Sequence, residues 1–453
     1  MQRSYGYGWR SSRVFTLATA CVALLTETLL YGFVVPILPH MLEVRLGQDP
    51  AQTQNSMTGL LSIHGFVTLV SAPVIASFTD KTANRKIPLL LSLVSCLTGT
   101  ILVASTVNLG ALYAGRVLQA IAGSAAWIVC LAILTENAGE GNIGKMMGLS
   151  MSFVMVGTVG GPMIAGAVLE LQGYWAAWSI PLVVLFFNII ARLIMIDPEH
   201  KDSSERFTQN EESPNNATRT ETSPLLQSAT TPKACHTQAT SSSHFYKVML
   251  RDSRIWASLA SSITYPILLS GFNATLPIHL REVFNWGSLP LGMVLFLLQL
   301  PTIFLGPLSG WLRDHVGLRY PTTIGWALLA PFVCLLGFPG DTHFPWASAS
   351  NNGKPIFISC MAAIGIVLPL VQGAGFLHTL TVLQDVEART PTIFGPLGGR
   401  SKAFAMNSVG INTGFMIGPL ITGFLSQSIG YLYTNVILGR SRDWDSCRSF
   451  LLT

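Results

Sequence analysis

Charge is scarce in this sequence. Asp, Glu, Lys and Arg together supply 11% of its 453 residues, under half the roughly 25% usual in a soluble globular domain. That excludes a water-solvated surface over most of the chain. Cysteine is thin as well. Cys21, Cys96, Cys130, Cys235, Cys334, Cys360 and Cys447 are scattered, five of them inside apolar runs. No metal-ligand spacing and no disulfide framework can be read from them, and no cofactor or metal is expected. The sequence contains no GxSxG, no HExxH and no paired aspartates at membrane depth, which argues against an intramembrane enzyme. The formal net charge of +5 raises nucleic acid as a partner, but the distribution of the cations decides against it.

Long apolar runs are what the chain has in abundance, and crossing about 30 Å of hydrocarbon takes about 20 apolar residues. Eleven runs qualify, at 14–38, 56–79, 88–107, 109–134, 146–171, 175–196, 255–279, 287–312, 321–338, 355–383 and 402–428. Backbone groups in lipid must be satisfied internally, and no period-2 alternation for a barrel is present, so these runs are predicted to be helices. Between the sixth and seventh lies the one long polar interval, Asp197–Arg254. From Ser203 to Ser243, 16 of 41 residues are Ser or Thr, a composition that predicts a disordered connector. The expected domains are 1–196, a linker over 197–254, and 255–453. Val14–Leu38 is too long for a signal core and carries Glu27 in its middle, so it reads as a first span. With the N-terminus cytoplasmic, 23 of the 27 Lys and Arg fall on or beside cytoplasmic segments. Arg45, Arg281 and Lys354 fall outside, and Arg116 lies within the membrane. This asymmetry predicts the orientation.

Several motifs occur twice. The second run ends in Asp80-Lys81 with Arg85 and Lys86 close behind, and the eighth in Arg313-Asp314-His315 with Arg319 following. An acid at the membrane edge can attract a facing helix N-terminus while the cations face the cytoplasm. Gly157, Gly161, Pro162 and Gly166 in the fifth run are answered by Gly414, Gly418, Pro419 and Gly423 in the eleventh. Glycines four apart let helices approach closely, and matched prolines kink them at equivalent places. Two charged side chains stand at membrane depth, Glu27 and Arg116; a carboxylate halfway across costs about 2.5–3.5 kcal/mol on insertion scales and is usually functional.

These residues resemble the major facilitator superfamily, specifically its twelve-span drug:proton antiporter branch. Asp80–Lys86 is similar to that family's loop 2–3 signature, with Ala76 and Ala83 where glycines are usual, and Asp314–Arg319 to its second copy. Arg116–Gly123 resembles the span 4 motif, and Gly157–Gly166 the span 5 antiporter motif. Glu27–Pro39 is similar to span 1 of vesicular amine transporters, where an aspartate stands at the position of Glu27. The connector and Leu276–Gly287 look most like fungal members. The resemblance implies an all-α membrane protein of two six-helix bundles, substrate held between them near the midplane, and rocking of one bundle against the other. It implies that Asp80, Lys81, Arg85, Asp314 and Arg319 gate the cytoplasmic side and that Arg116 influences proton exchange.

The expected function is therefore proton-coupled export of small organic compounds, from a plasma, vacuolar or vesicular membrane, by a monomer whose partners are substrate, protons and lipid. Uptake or vesicular loading of organic cations is the alternative among transporters, and a receptor on the transporter scaffold is the alternative outside them. Substrate or proton contacts are expected from Glu27, Arg116, Trp127, Asn273 and Gln372. Lone His64 and His378 read more simply as hydrogen-bonded structural residues. At the chain's end, apolar sequence runs only from Ile429 to Leu438 before Arg440, Arg442 and Asp443. A shortened twelfth span is predicted, leaving the eleventh without a packing partner and transport weak or absent.

Overall fold

The computed structural model describes residues 10, 12–81, 86–137, 143–195, 242–341, 343–349, 352–389 and 400–440. Among these residues every expected run but 355–383 is a single helix apart from a residue or two at its ends, and no strand forms. The helices are α1 (Arg13–His40), α2 (Pro50–Lys81), α3 (Lys86–Ser105), α4 (Leu109–Asn137), α5 (Ile143–Gln172) and α6 (Tyr174–Ile194). After the connector come α7 (Ser242–Met249), α8 (Ser253–Phe284), α9 (Ser288–Val316), α10 (Arg319–Leu336), α11 (Gly353–Val367), α12 (Ala374–Arg389) and α13 (Arg400–Ile429). A last helix, α14, covers 431–440.

Four differences from the sequence reading have physical causes. Ten segments among the described residues are long and apolar enough to cross a membrane, not eleven. The stretch that falls short is α10, whose 18 residues begin with Arg319, Tyr320, Pro321, Thr322 and Thr323 and so lack the apolar character of the other ten. The run 355–383 is not one helix. It breaks between α11 and α12 at a 3₁₀ turn, Leu368–Leu370, with Gly373 at φ +73°. The connector is not structureless to its end, because α7 places Phe245 and Met249, four residues apart, in a buried cluster with Val382, Leu383, Ala403 and Met406. Finally, the short run near the end does form a helix and does pack. Tyr431 stacks on His279 of α8 at 3.6 Å between ring centroids, and Gly439 lies against Cys334 and Ala330 of α10. At ten residues α14 extends about 15 Å.

The repeated glycines show how the helices are arranged. In α5, Gly157 and Gly161 face α1. A Cβ on Gly161 would stand 2.6 Å from Leu29 O. In α13, Gly414 and Gly418 face α8. A Cβ on Gly414 would stand 2.4 Å from Ile263 O. The last glycine of each set faces the other way. Gly166 abuts Ser288 and Gly292 of α9, and Gly423 abuts Thr58 of α2. Pro162 and Pro419 lie inside continuous helices. The largest buried cluster runs through both sets of helices, with Phe33, Trp178, Phe272, Trp326 and Phe357 among its members.

Candidate functional site

Glu27 sits halfway along α1, where α1, α3 and α4 converge. Gly123 of α4 makes room for it: a Cβ there would lie 1.8 Å from Glu27 Oε1. Cys96 Sγ of α3 donates to Oε2 at 3.8 Å. Glu27 stays partly accessible although helices surround it, so its free surface faces the protein's interior. One turn further along α1, Tyr31 presents its ring to His64 of α2 at 5.4 Å and edge-on to Phe415 of α13 at 5.5 Å. The Asn273 side chain of α8 lies close to its hydroxyl. Tyr31 thus links helices from before and after the connector.

Arg116 is 1% exposed in α4. Its Nη1 donates to Gln119 Oε1 at 2.9 Å, and Gln119 Nε2 donates to Thr100 Oγ1 at 3.0 Å. Its Nε and Nη2 have no hydrogen-bond partner. No ion pair joins it to Glu27 among the described residues. A partly accessible carboxyl and a buried, partly unsatisfied guanidinium therefore share one interior region without neutralising each other directly. Such an arrangement can hold a proton, a cation or a bound acceptor, since each group keeps capacity that a direct pair would consume.

Of the other expected contacts, Asn273 belongs to this cluster through Tyr31. Trp127, partly buried, packs against the apolar cluster that includes Cys96, Val129 and Cys130, and Cys96 is the residue that donates to Glu27. Gln372 lies in the break before α12, with Nε2 4.0 Å from Met155 Sδ of α5. Arg85 and the side chains of Asp80, Lys81 and Asp314 lie outside the described residues. Arg319 opens α10 and is half-buried. Among the described residues no group of His, Cys, Asp and Glu is placed to hold a metal.

Polar contacts between the two sets of helices gather at the end carrying Arg45. Arg281 of α8 donates to Glu43, which follows α1, and Thr53 Oγ1 donates to the other carboxylate oxygen at 2.8 Å. Gln54 Nε2 donates to Ala274 O at 3.0 Å. Glu170 Oε2 accepts from Leu289 N in the first turn of α9 at 2.8 Å, where the helix end favours an anion. Sequence reasoning counted Arg281 as an outer cation and missed its partner. It also passed over Tyr31 and Gln119. Their signal was spacing, i+4 from Glu27 and i+3 from Arg116, which puts each on the same helix face as the ionisable group.

Residues 18–380 match the family model described as Major Facilitator Superfamily. An MFS-type transporter of Schizosaccharomyces pombe is 28% identical over 93% of this chain and 92% of its own length. The MFS-type transporter ppzB of Metarhizium rileyi is 24% identical over 96% and 93%. The vesicular acetylcholine transporter of Tetronarce californica is 21% identical over 95% and 79%. Among solved structures, a D-xylose-proton symporter shares the fold with a TM-score of 0.71 at 10% identity, covering 98% of each chain. The nucleoside transporter NupG does so with a TM-score of 0.66 at 11% identity, over 97% and 98%.

Proposed function

This chain belongs to the major facilitator superfamily, a transporter in an apolar membrane and not an enzyme, and we propose that it exports small organic compounds in exchange for protons. The observation that carries the reading is Glu27, a lone mid-span carboxyl held without a cationic partner in an interior region lined by Tyr31, His64 and Phe415. A carboxyl so placed exchanges a proton for a substrate cation as access alternates between the two sides. Deprotonated, Glu27 attracts a cationic or dipolar amphipathic compound against the aromatic rings. Protonated from the opposite side, it loses that attraction and releases the compound. Arg116, held by Gln119, keeps its remaining donors free beside this region. The contacts around Glu43, Gln54 and Glu170 close one end in this state, and rocking that parts them would open it.

The test uses the purified full chain in proteoliposomes with an imposed pH gradient. A panel of organic cations and neutral amphipaths, tetraphenylphosphonium among them, is followed for gradient-driven flux. Glu27→Gln should reduce that flux to background while inserting and folding normally. Undiminished coupled flux in the variant would overturn the assignment. Vesicular or uptake transport of organic cations is the second reading, supported by the resemblance to vesicular acetylcholine transporters over 95% of this chain. Location of the protein and the gradient polarity that drives accumulation separate the two.

A further inference from the structure

The break between α11 and α12 falls inside an apolar run at Pro369 and Gly373, the one without an N–H to continue the helix and the other free to turn. Interrupting a helix within the membrane frees backbone carbonyls, which lipid cannot satisfy. Here they are met from α9. Arg313 Nη2 donates to Pro369 O at 2.9 Å and to Gln372 O at 2.9 Å. Ser309, one turn earlier on the same face, donates its Oγ to Pro369 O at 2.9 Å. Arg313 is 9% exposed and its Nε has no partner. No ion pair engages it among the described residues, so its charge is directed at the carbonyls of the break. On the far side the break is anchored as well. Ser258 Oγ of α8 donates to Gly375 O at 2.5 Å and shares a hydrogen bond with Thr379 Oγ1. Between these anchors stands Gln372, whose amide crosses to Met155 of α5. Gly373 permits the turn, since its φ of +73° is one that side chains rarely adopt.

We propose that Arg313 is a positioning residue for transport, clamping the interrupted segment Leu368–Gly373 so that Gln372 is presented to the passage between the two sets of helices. The clamp spans two carbonyls three residues apart, and a planar guanidinium with several N–H donors suits that task better than an ammonium. Loss of it lets the segment wind toward continuous helix or lean away from α9. Either change withdraws Gln372 from Met155 and weakens substrate binding without touching Glu27. This inference rests on the transporter reading above.

The experiment measures tetraphenylphosphonium flux in proteoliposomes as a function of concentration, together with N-ethylmaleimide labelling of a Gln372→Cys reporter corrected for the native cysteines. Arg313→Gln should raise the half-saturating concentration about tenfold while the maximal rate stays within about twofold. It should also change the labelling rate of the reporter at least about fivefold, with a reporter at exposed Trp346 unchanged. Arg313→Lys should fall between Arg313→Gln and the parent in both. Should Arg313→Gln not fold, Ser309→Ala removes one of the two donors to Pro369 O and should move both readouts in the same direction by less. Unaltered half-saturation and unaltered reporter labelling in folded variants would overturn the proposal. The labelling arm needs no substrate, so it decides the clamp even if Glu27→Gln transports normally or tetraphenylphosphonium is not carried, outcomes that count against the function reading instead.

Discussion

Removing the Glu43–Arg281 pair gives a direct measure of how strongly this end of the protein is held shut. The pair joins segments on either side of the connector, so it exists only while the two sets of helices meet there. Its side chains are 19% and 31% exposed, which places it between a surface bridge and a buried one. A fully exposed pair contributes about 0–1 kcal/mol, and breaking a fully buried one costs about 3–5 kcal/mol. With Thr53 fixing the carboxylate, about 1–2 kcal/mol is a reasonable share, or roughly a 5- to 30-fold shift in the equilibrium between closed and open. The assay is maleimide labelling of Ala274→Cys, a fully buried position on the seam next to Gln54. Glu43→Gln and Arg281→Gln should each speed labelling within that range. Exchanging the charges, Glu43→Arg with Arg281→Glu, should return it to within about twofold of the parent. If the singles label at the parent rate, or the exchange behaves no better than the singles, the pair is a surface contact and does not hold the closed state.

Three further expectations concern packing and charge. Gly123→Ala should displace the Glu27 carboxylate, because the new Cβ falls 1.8 Å from Oε1; coupled flux should drop at least about tenfold with little change in expression, and normal flux would show the carboxyl is elsewhere in the working protein. Gly166→Ala puts a Cβ 2.1 Å from Ser288 O, an overpacking cost of about 1–3 kcal/mol that the open state relieves, so Ala274→Cys labelling should rise, whereas Gly160→Ala, whose Cβ meets nothing nearer than 3.8 Å, should leave it alone. Asp252 caps α8 through Arg254 N at 2.9 Å and is hydrogen-bonded by the Arg254 side chain, which holds its carboxyl below the ordinary range. A depressed carboxyl stabilises the fold above its unfolded-state value and stops doing so as pH falls through the lower folded value. Asp252→Ala should therefore lower thermal stability in detergent at pH 7 by about 1 kcal/mol, Asp252→Asn by less, and the gap to the parent should close on strong acidification.

Helix positions were largely legible because lipid leaves the backbone few choices, and apolar length alone locates a crossing. What apolar length cannot convey is whether a run stays continuous. The run at 355–383 has the apolar length of one crossing, and although Pro369 and Gly373 mark where it can break, the donors that satisfy the freed carbonyls, Arg313 and Ser309, come from another helix some 60 positions earlier in the chain. The end of the connector was missed for a related reason: Phe245 and Met249 stand in a Ser-rich context, and only the partners Val382 and Met406 make their burial favourable. In the site, Glu27 and Arg116 were legible because charge in an apolar helix is costly. Tyr31, Gln119 and Thr100 are not costly there, and only their spacing or their partners mark them.

The glycine–proline repeat joins these observations into a mechanical account. In each copy the earlier glycines bind a helix to its own set, Gly161 to α1 and Gly418 to α8, by backbone contacts that any side chain would break. The final glycine of each copy, Gly166 or Gly423, instead touches the opposite set. Contacts of the first kind resist motion within a set. Contacts of the second kind are small, smooth and without hydrogen bonds, so two surfaces can part or slide there at little cost. The polar contacts that resist parting are concentrated at Glu43, Gln54 and Glu170, at one end of that seam. Glycine contacts with a polar lock at one end would suit the proposed rocking, and the helix that carries Glu27 is joined to α5 through Thr28 and Leu29 at Gly157 and Gly161. Any shift of α5 against α9 is thus transmitted to the helix that carries the carboxyl.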